Sequence, residues 1–99
     1  MKHCVLIYQV VDDYVERRTP FGAEHLALAQ AAKANGDLFP AGAFANPVDG
    51  ALLVFHGETG AAAEVFAQAD AYVKNGLVTS WRVREWTTLL GDTAIVALP

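Results

Sequence analysis

Residues 3–11, His3-Cys4-Val5-Leu6-Ile7-Tyr8-Gln9-Val10-Val11, form a nearly unbroken apolar run rich in β-branched side chains. Such a run, stopped by Asp12-Asp13, predicts a strand that is apolar on both faces. Tyr14 to Arg18 reads as a polar loop. Thr19-Pro20 reads as a helix start, with Thr as N-cap and Pro at the first helical position. The helix runs to about Asn35, with Phe21, His25, Leu28, Ala29 and Ala32 on one face, and Gly36 supplies its left-handed stop. Residues 38–45 predict a second strand. Pro40 removes one ladder donor there, which assigns that strand to an edge. After the Asn46–Gly50 turn, residues 51–56 form a third strand, again apolar on both faces. Thr59 caps a second helix that runs to about Ala69, with Ala62, Val65, Phe66 and Ala69 as its apolar stripe. Asp70 to Gly76 reads as a short separate helical turn. Residues 77–90 predict a long last strand containing Trp81 and Trp86.

The order β-α-β-β-α-β, with short connections and right-handed crossovers, leads to an α+β fold. It is the ferredoxin-like sandwich, an antiparallel sheet of order 4-1-3-2 with both helices on one face. The second strand is then an edge, as Pro40 requires. The central strands are the two that are apolar on both sides, so the sheet face opposite the helices should pack on another sheet.

Composition strengthens that expectation. The chain has 99 residues, of which 54% are hydrophobic and 18% charged. A single domain of this size buries only about two-thirds of its unfolded surface, so apolar surface is left over for a second subunit. One domain over residues 1–92 and an apolar tail over residues 93–99 are expected. Ile95, Val96 and Leu98 of the tail are expected to dock on the partner subunit or on a further copy of the dimer, which makes a homodimer or a higher homo-oligomer the expected assembly. The net charge of −4 lacks the basic balance of a nucleic-acid binder. No apolar run reaches the roughly 18 residues of a membrane span. The single cysteine, Cys4, allows no intrachain disulfide, and it lies where an inert core thiol is expected. A cytoplasmic protein is the expectation.

The topology also places residues. The first helix begins, and the second ends, at the end of the sheet where the first strand finishes. That brings His25, in the second turn of the first helix, near Asp70, just past the second helix. A carboxylate beside an imidazole fixes its tautomer and raises its basicity, which makes a general base. Asp70 is also a good N-cap for the short turn that follows, and one carboxylate can serve both roles. Tyr8, Gln9, the Asn46–Asp49 turn, Tyr72, Ser80 and Trp81 belong at the same end. His3 and His56 lie at strand ends, and no two histidines have metal-ligand spacing on one element, so no metal site is expected. Arg82 and Arg84 fit a cross-strand charge ladder as well as an anion site.

Several stretches resemble the YciI-like family: Arg17-Arg18-Thr19-Pro20-Phe21 with Glu24-His25-Leu26, Ala41-Gly42-Ala43, and Asp49 to Phe55. Ala69-Asp70-Ala71-Tyr72-Val73, Gly76-Leu77-Val78 and Trp81 to Trp86 extend the resemblance over nearly the whole chain. The chain departs from that family at Gly22, where a basic residue is common, and at Ala71, where Pro is usual. The resemblance implies a ferredoxin-like domain paired into a dimeric α/β barrel. It also implies an active site built from a histidine on the first helix and an aspartate after the second, at the positions of His25 and Asp70.

The reading that follows is a cofactor-free homodimer performing acid/base chemistry on a small cyclic or aromatic compound, by isomerisation or elimination. His25 would move the proton and Asp70 would orient it. Tyr8 and Tyr72 would supply hydrogen bonds, and Trp81 an apolar wall. A non-catalytic ligand-binding or interaction dimer, or a cofactor-independent oxygenase, would use the same cleft.

Overall fold

The computed structural model describes residues 2–96. Strand β1 (Lys2–Val10) leads to a short helix α1 (Tyr14–Arg17), a 3-10 turn (Thr19–Phe21) and helix α2 (Gly22–Ala34). Strands β2 (Leu38–Ala43) and β3 (Gly50–Gly57) form a hairpin. Helices α3 (Ala61–Ala69) and α4 (Ala71–Lys74) precede the last strand, β4 (Val78–Trp86). The sheet order is β2-β3-β1-β4 with every neighbouring pair antiparallel, which is the expected ferredoxin-like α+β topology. Pro40 lies in edge strand β2, and the register of β2 on β3 shifts between Leu38 and Ala41 around it.

The pleat sorts β1 and β3 into two faces. Leu6 and Tyr8 of β1 join Leu53 and Phe55 of β3 in a core against Ala63, Phe66 and Ala67 of α3. Val5, Ile7, Leu52 and Val54 alternate with these, so they line the opposite face and are only half-buried.

The observed elements depart from the sequence expectation at five places. Residues 14–17 are helical, and Tyr14 is buried. The chain is therefore already turning at Arg18 (φ −74°, ψ −20°), so Thr19 cannot take the extended conformation of a cap, and no side chain caps this start. On α3 the buried stripe is Ala63, Phe66 and Ala67, while Val65 is 64% exposed. Thr59 does contribute at that helix, its hydroxyl accepting the Ala61 N–H at 3.2 Å, one residue before the geometric cap Gly60. Strand β4 ends at Trp86 rather than near Leu90, because Trp86 pairs with His3 and β1 begins only at Lys2. Arg82 and Arg84 stand opposite Ile7 and Val5 and so join no charge ladder on β1, where the cross-strand ion pair is Lys2–Glu85 at 3.6 Å.

Beyond Trp86 the chain folds back on itself. The Thr88 hydroxyl accepts the Ile95 N–H at 3.0 Å, and the Thr88 carbonyl accepts the Val96 N–H at 3.2 Å. The tail thus meets its own chain as far as Val96, and Leu98 lies outside the described residues.

Candidate active site

Asp70 sits between two helices, ending α3 and capping α4 with an extended backbone (φ −68°, ψ 128°). This break turns its side chain under the sheet end where β1 finishes, and the residue is 0% exposed. Three donors converge on it. The Tyr72 N–H donates to Oδ1 at 3.1 Å, the expected cap. His25 Nδ1 lies 2.8 Å from the same oxygen. The Tyr8 hydroxyl donates to Oδ2 at 2.7 Å. One oxygen therefore serves both the cap and the imidazole, and the other is taken by Tyr8. A buried carboxylate can only accept, and three donors replace the water it has lost.

His25 is the fourth residue of α2, and its side chain is 19% exposed. Its ring stacks on Tyr72 with centroids 4.1 Å apart and planes 12° apart, and the Phe66 edge meets it at 6.3 Å. Tyr72 in turn meets the Tyr14 ring edge-on at 5.6 Å. These contacts fix the imidazole plane. Since a carboxylate accepts, the neutral ring carries its proton on Nδ1, and Nε2 holds the lone pair. Nε2 has no hydrogen-bond partner among the described residues.

A cavity of about 400 Å³ opens beside this pair. Tyr8, Tyr14, Arg18, His25 and Tyr72 give it its polar groups, and Leu26 of α2 with Ala41 to Ala43 of β2 give it apolar walls. Burial pushes the Tyr8 phenol far above its ordinary value of 10.0, and the hydrogen bond to Asp70 adds to the effect. The Tyr72 phenol is raised too, first by burial and then by Tyr14, while the Arg18 charge pulls it down. Both tyrosines thus remain proton donors over the ordinary pH range. Gly50 closes this end of the sheet: a Cβ there would lie 2.6 Å from the Tyr8 carbonyl, so only glycine lets β3 approach β1 at this point.

Four of the residues expected at the site, His25, Asp70, Tyr8 and Tyr72, are brought together. Trp81 is not among the residues lining the cavity. It stands opposite Tyr8 on β4, packs against the core, and borders a separate depression with Gln9 and Ser80. Tyr14 and Arg18 were missed because their segment reads as a polar loop. The available signals were a lone aromatic residue in a charged segment, Tyr14, and the place of Arg18 in the family-like stretch Arg17 to Phe21. No set of three metal-ligating side chains comes together among the described residues.

The family model of the YCII-related domain matches residues 1–87. The chain belongs to that family. Among solved structures, this YCII-related chain is similar to the 5-chloro-2-hydroxyhydroquinone dehydrochlorinase of Burkholderia phenoliruptrix AC1100, in complex with 2,5-dihydroxybenzoquinone. The two share 19% identity over 93% of this chain and 98% of the other, with a TM-score of 0.73. At that identity the likeness shows a shared fold. No curated protein matches the sequence.

Proposed function

We propose that this YCII-related protein is a small-molecule enzyme that eliminates or isomerises a small cyclic or aromatic compound, with His25 as the proton-transfer group. The observation that carries the reading is the imidazole held 2.8 Å from a sealed carboxylate at the wall of a cavity. In an elimination, Nε2 takes a proton from an acidic C–H or O–H. The released electron pair forms a new π bond, and the leaving group departs with its own pair. In an isomerisation, the same nitrogen returns the proton at another carbon. Asp70 holds the ring in the reactive tautomer and balances the imidazolium that forms. Tyr72 stacks under the imidazole and Tyr8 orients Asp70. Trp81, opposite Tyr8 on β4, would supply an apolar wall behind that residue. The neighbouring fold's dehydrochlorinase acts on a chlorinated hydroxyhydroquinone, and the aromatic-lined cavity suits a ring of that size.

We also propose that the protein works as a homodimer in the cytoplasm. Val5, Ile7, Leu52 and Val54 leave an apolar sheet face half-covered, which suits a second copy. Its one thiol is buried and unpaired, which suits a reducing compartment. No helix among the described residues is long and apolar enough to cross a membrane. Sedimentation should give about twice the 10.6 kDa chain mass, and a compact monomer at micromolar concentration would contradict it.

The test of the activity is halide release from a panel of halogenated hydroxyhydroquinones and related phenols. Release by the wild-type chain that is lost in His25→Ala supports the reading. A wild-type chain that releases halide no faster than His25→Ala over the whole panel, and that also fails to exchange or shift ring protons, contradicts it.

A further inference from the structure

A second cavity lies at the other end of the sheet from His25, on the opposite face. By the alternation of β1 and β3, His3 and Val54 lie on the side of Val5 and Ile7, away from the helices. The segment after β4 returns over this end, and between it and the sheet is a cavity of about 500 Å³, larger than the one at His25. Flat rings shape it: Phe39 meets the His3 ring edge-on at 5.7 Å, and Trp86 lies 6.5 Å from it. Val54, Leu89 and Leu90 add aliphatic walls, and no charged side chain lines it among the described residues. His3 is 3% exposed in the single chain, so the chain builds this enclosure by itself. The rim is left open, with Leu89 52% and Leu90 83% exposed, which is apolar surface for a ligand to cover.

The polar groups decide what fits. The Thr88 hydroxyl accepts the Ile95 N–H at 3.0 Å and lies 2.7 Å from His3 Nδ1. Its own proton has no other acceptor among the described residues, so it donates to Nδ1. The neutral His3 ring then carries its proton on Nε2. That nitrogen has no partner, and no sealed side-chain nitrogen among the described residues lacks one, so Nε2 is reached from the open space that His3 borders. One N–H donor among aromatic walls, with no ion beside it, matches an uncharged flat molecule that carries a carbonyl oxygen.

We propose that this cavity is a second binding site, for a neutral aromatic carbonyl compound. His3 Nε2–H donates to the carbonyl oxygen, and Phe39 and Trp86 flank the ring of the ligand. His3 serves there as a fixed donor and moves no proton, since no anion stands behind it. The site uses no residue of the His25 cavity, so it stands or falls independently of the acid/base reading.

Acetophenone and α-methylstyrene are suitable probes, because they share a shape and differ by a carbonyl in place of a methylene group. Titration of the full chain, followed by its NMR spectra, should move the His3 ring, the Trp86 indole and the Leu89 and Leu90 methyls. These shifts should persist in His25→Ala. His3→Phe, which keeps a flat ring and loses the donor, should weaken acetophenone about tenfold at the Trp86 signal and leave α-methylstyrene within about threefold. His3→Gln, which restores an N–H donor, should recover part of the loss. Should His3→Phe not fold, as judged by its thermal midpoint, Thr88→Val takes its place. Without the hydroxyl the ring proton is free to leave Nε2, and acetophenone should weaken at least about threefold. The proposal is overturned if His3 of the free chain carries its proton on Nδ1, or if the donor-free variant weakens both probes equally or neither. It is also overturned if shifts are confined to the His25 cavity, or if neither probe moves Trp86, the result expected where a second copy of the chain fills the cavity.

Discussion

The two ends of the sheet each gather histidine and aromatic side chains, but they differ in what the histidine meets. At the Tyr8 end, His25 faces a sealed carboxylate, and its second nitrogen is left without a partner. At the opposite end, His3 is buried among Phe39, His56 and Trp86, and its Nδ1 lies 2.7 Å from the Thr88 hydroxyl. His56 directs Nε2 at the Gly36 carbonyl, so that nitrogen donates. A hydroxyl and a carbonyl hold an imidazole in place. Neither offers the charge that compensates an imidazolium. The difference teaches that a histidine in an aromatic pocket is a structural element until an anion stands behind it.

The comparison breaks most visibly in turnover. Replacing His25 by Ala should lower the rate of the proposed reaction by about 10²- to 10⁴-fold, the usual contribution of a positioned acid or base. Replacing His56 by Ala should leave it within about twofold. Equal losses in the two variants would erase the distinction between the ends.

Asp70 comes next. Asp70→Asn keeps the shape and can keep all three contacts if the Tyr8 hydroxyl reverses to accept from the amide. It should cost about 1–2 kcal/mol of stability by urea unfolding, while turnover falls by about 10²-fold or more. Asp70→Ala leaves three buried donors unanswered and should cost more, about 3 kcal/mol or above. A smaller effect is expected for Tyr8→Phe, about 1 kcal/mol, because it removes one hydrogen bond and leaves the ring in the core.

Alkaline pH sharpens the contrast further. Tyr8 and Tyr72 both lie at the His25 end, and burial raises both phenols above their ordinary value of 10.0. Above that pH the unfolded chain loses these protons while the folded chain keeps them. The folded state then binds more protons, and its stability falls as pH rises. The urea midpoint should decline from about pH 10 upward, and Tyr8→Phe should flatten the decline. A flat profile in the wild-type chain would show that the phenols ionise in place.

Much of the fold was legible because strands and helices impose different periods. The two runs around Leu6 and Leu53 are apolar on both faces, which marks central strands, and Pro40 marks the edge. Topology alone then brought His25 to Asp70 across 45 positions. The phase of α3 was not legible. Its residues are mostly alanine, and the two polar ones, Glu64 and Gln68, lie equally far from both candidate stripes, which share Phe66, so only the packing of Ala63 and Ala67 into the core, with Val65 left outside, selects the buried one. The end of β4 was not legible either, since a strand stops where its partner stops. Arg18 was hidden by its own polarity: charge along a segment says nothing about which cation turns inward and which stays in water. Tyr14, buried beside it, decides that.

The central claim is that a carboxylate sets the histidine at the Tyr8 end apart. Two-dimensional 15N spectra of the imidazole nitrogens, recorded with the histidines neutral, test it most directly. The expected result is opposite tautomers. His25 should carry its proton on Nδ1, with Nε2 showing the shift of an unprotonated nitrogen, and His56 should carry its proton on Nε2. His25 protonated on Nε2, or exchanging freely between the two forms, would contradict the account, because the nitrogen assigned to proton transfer would then not be held free.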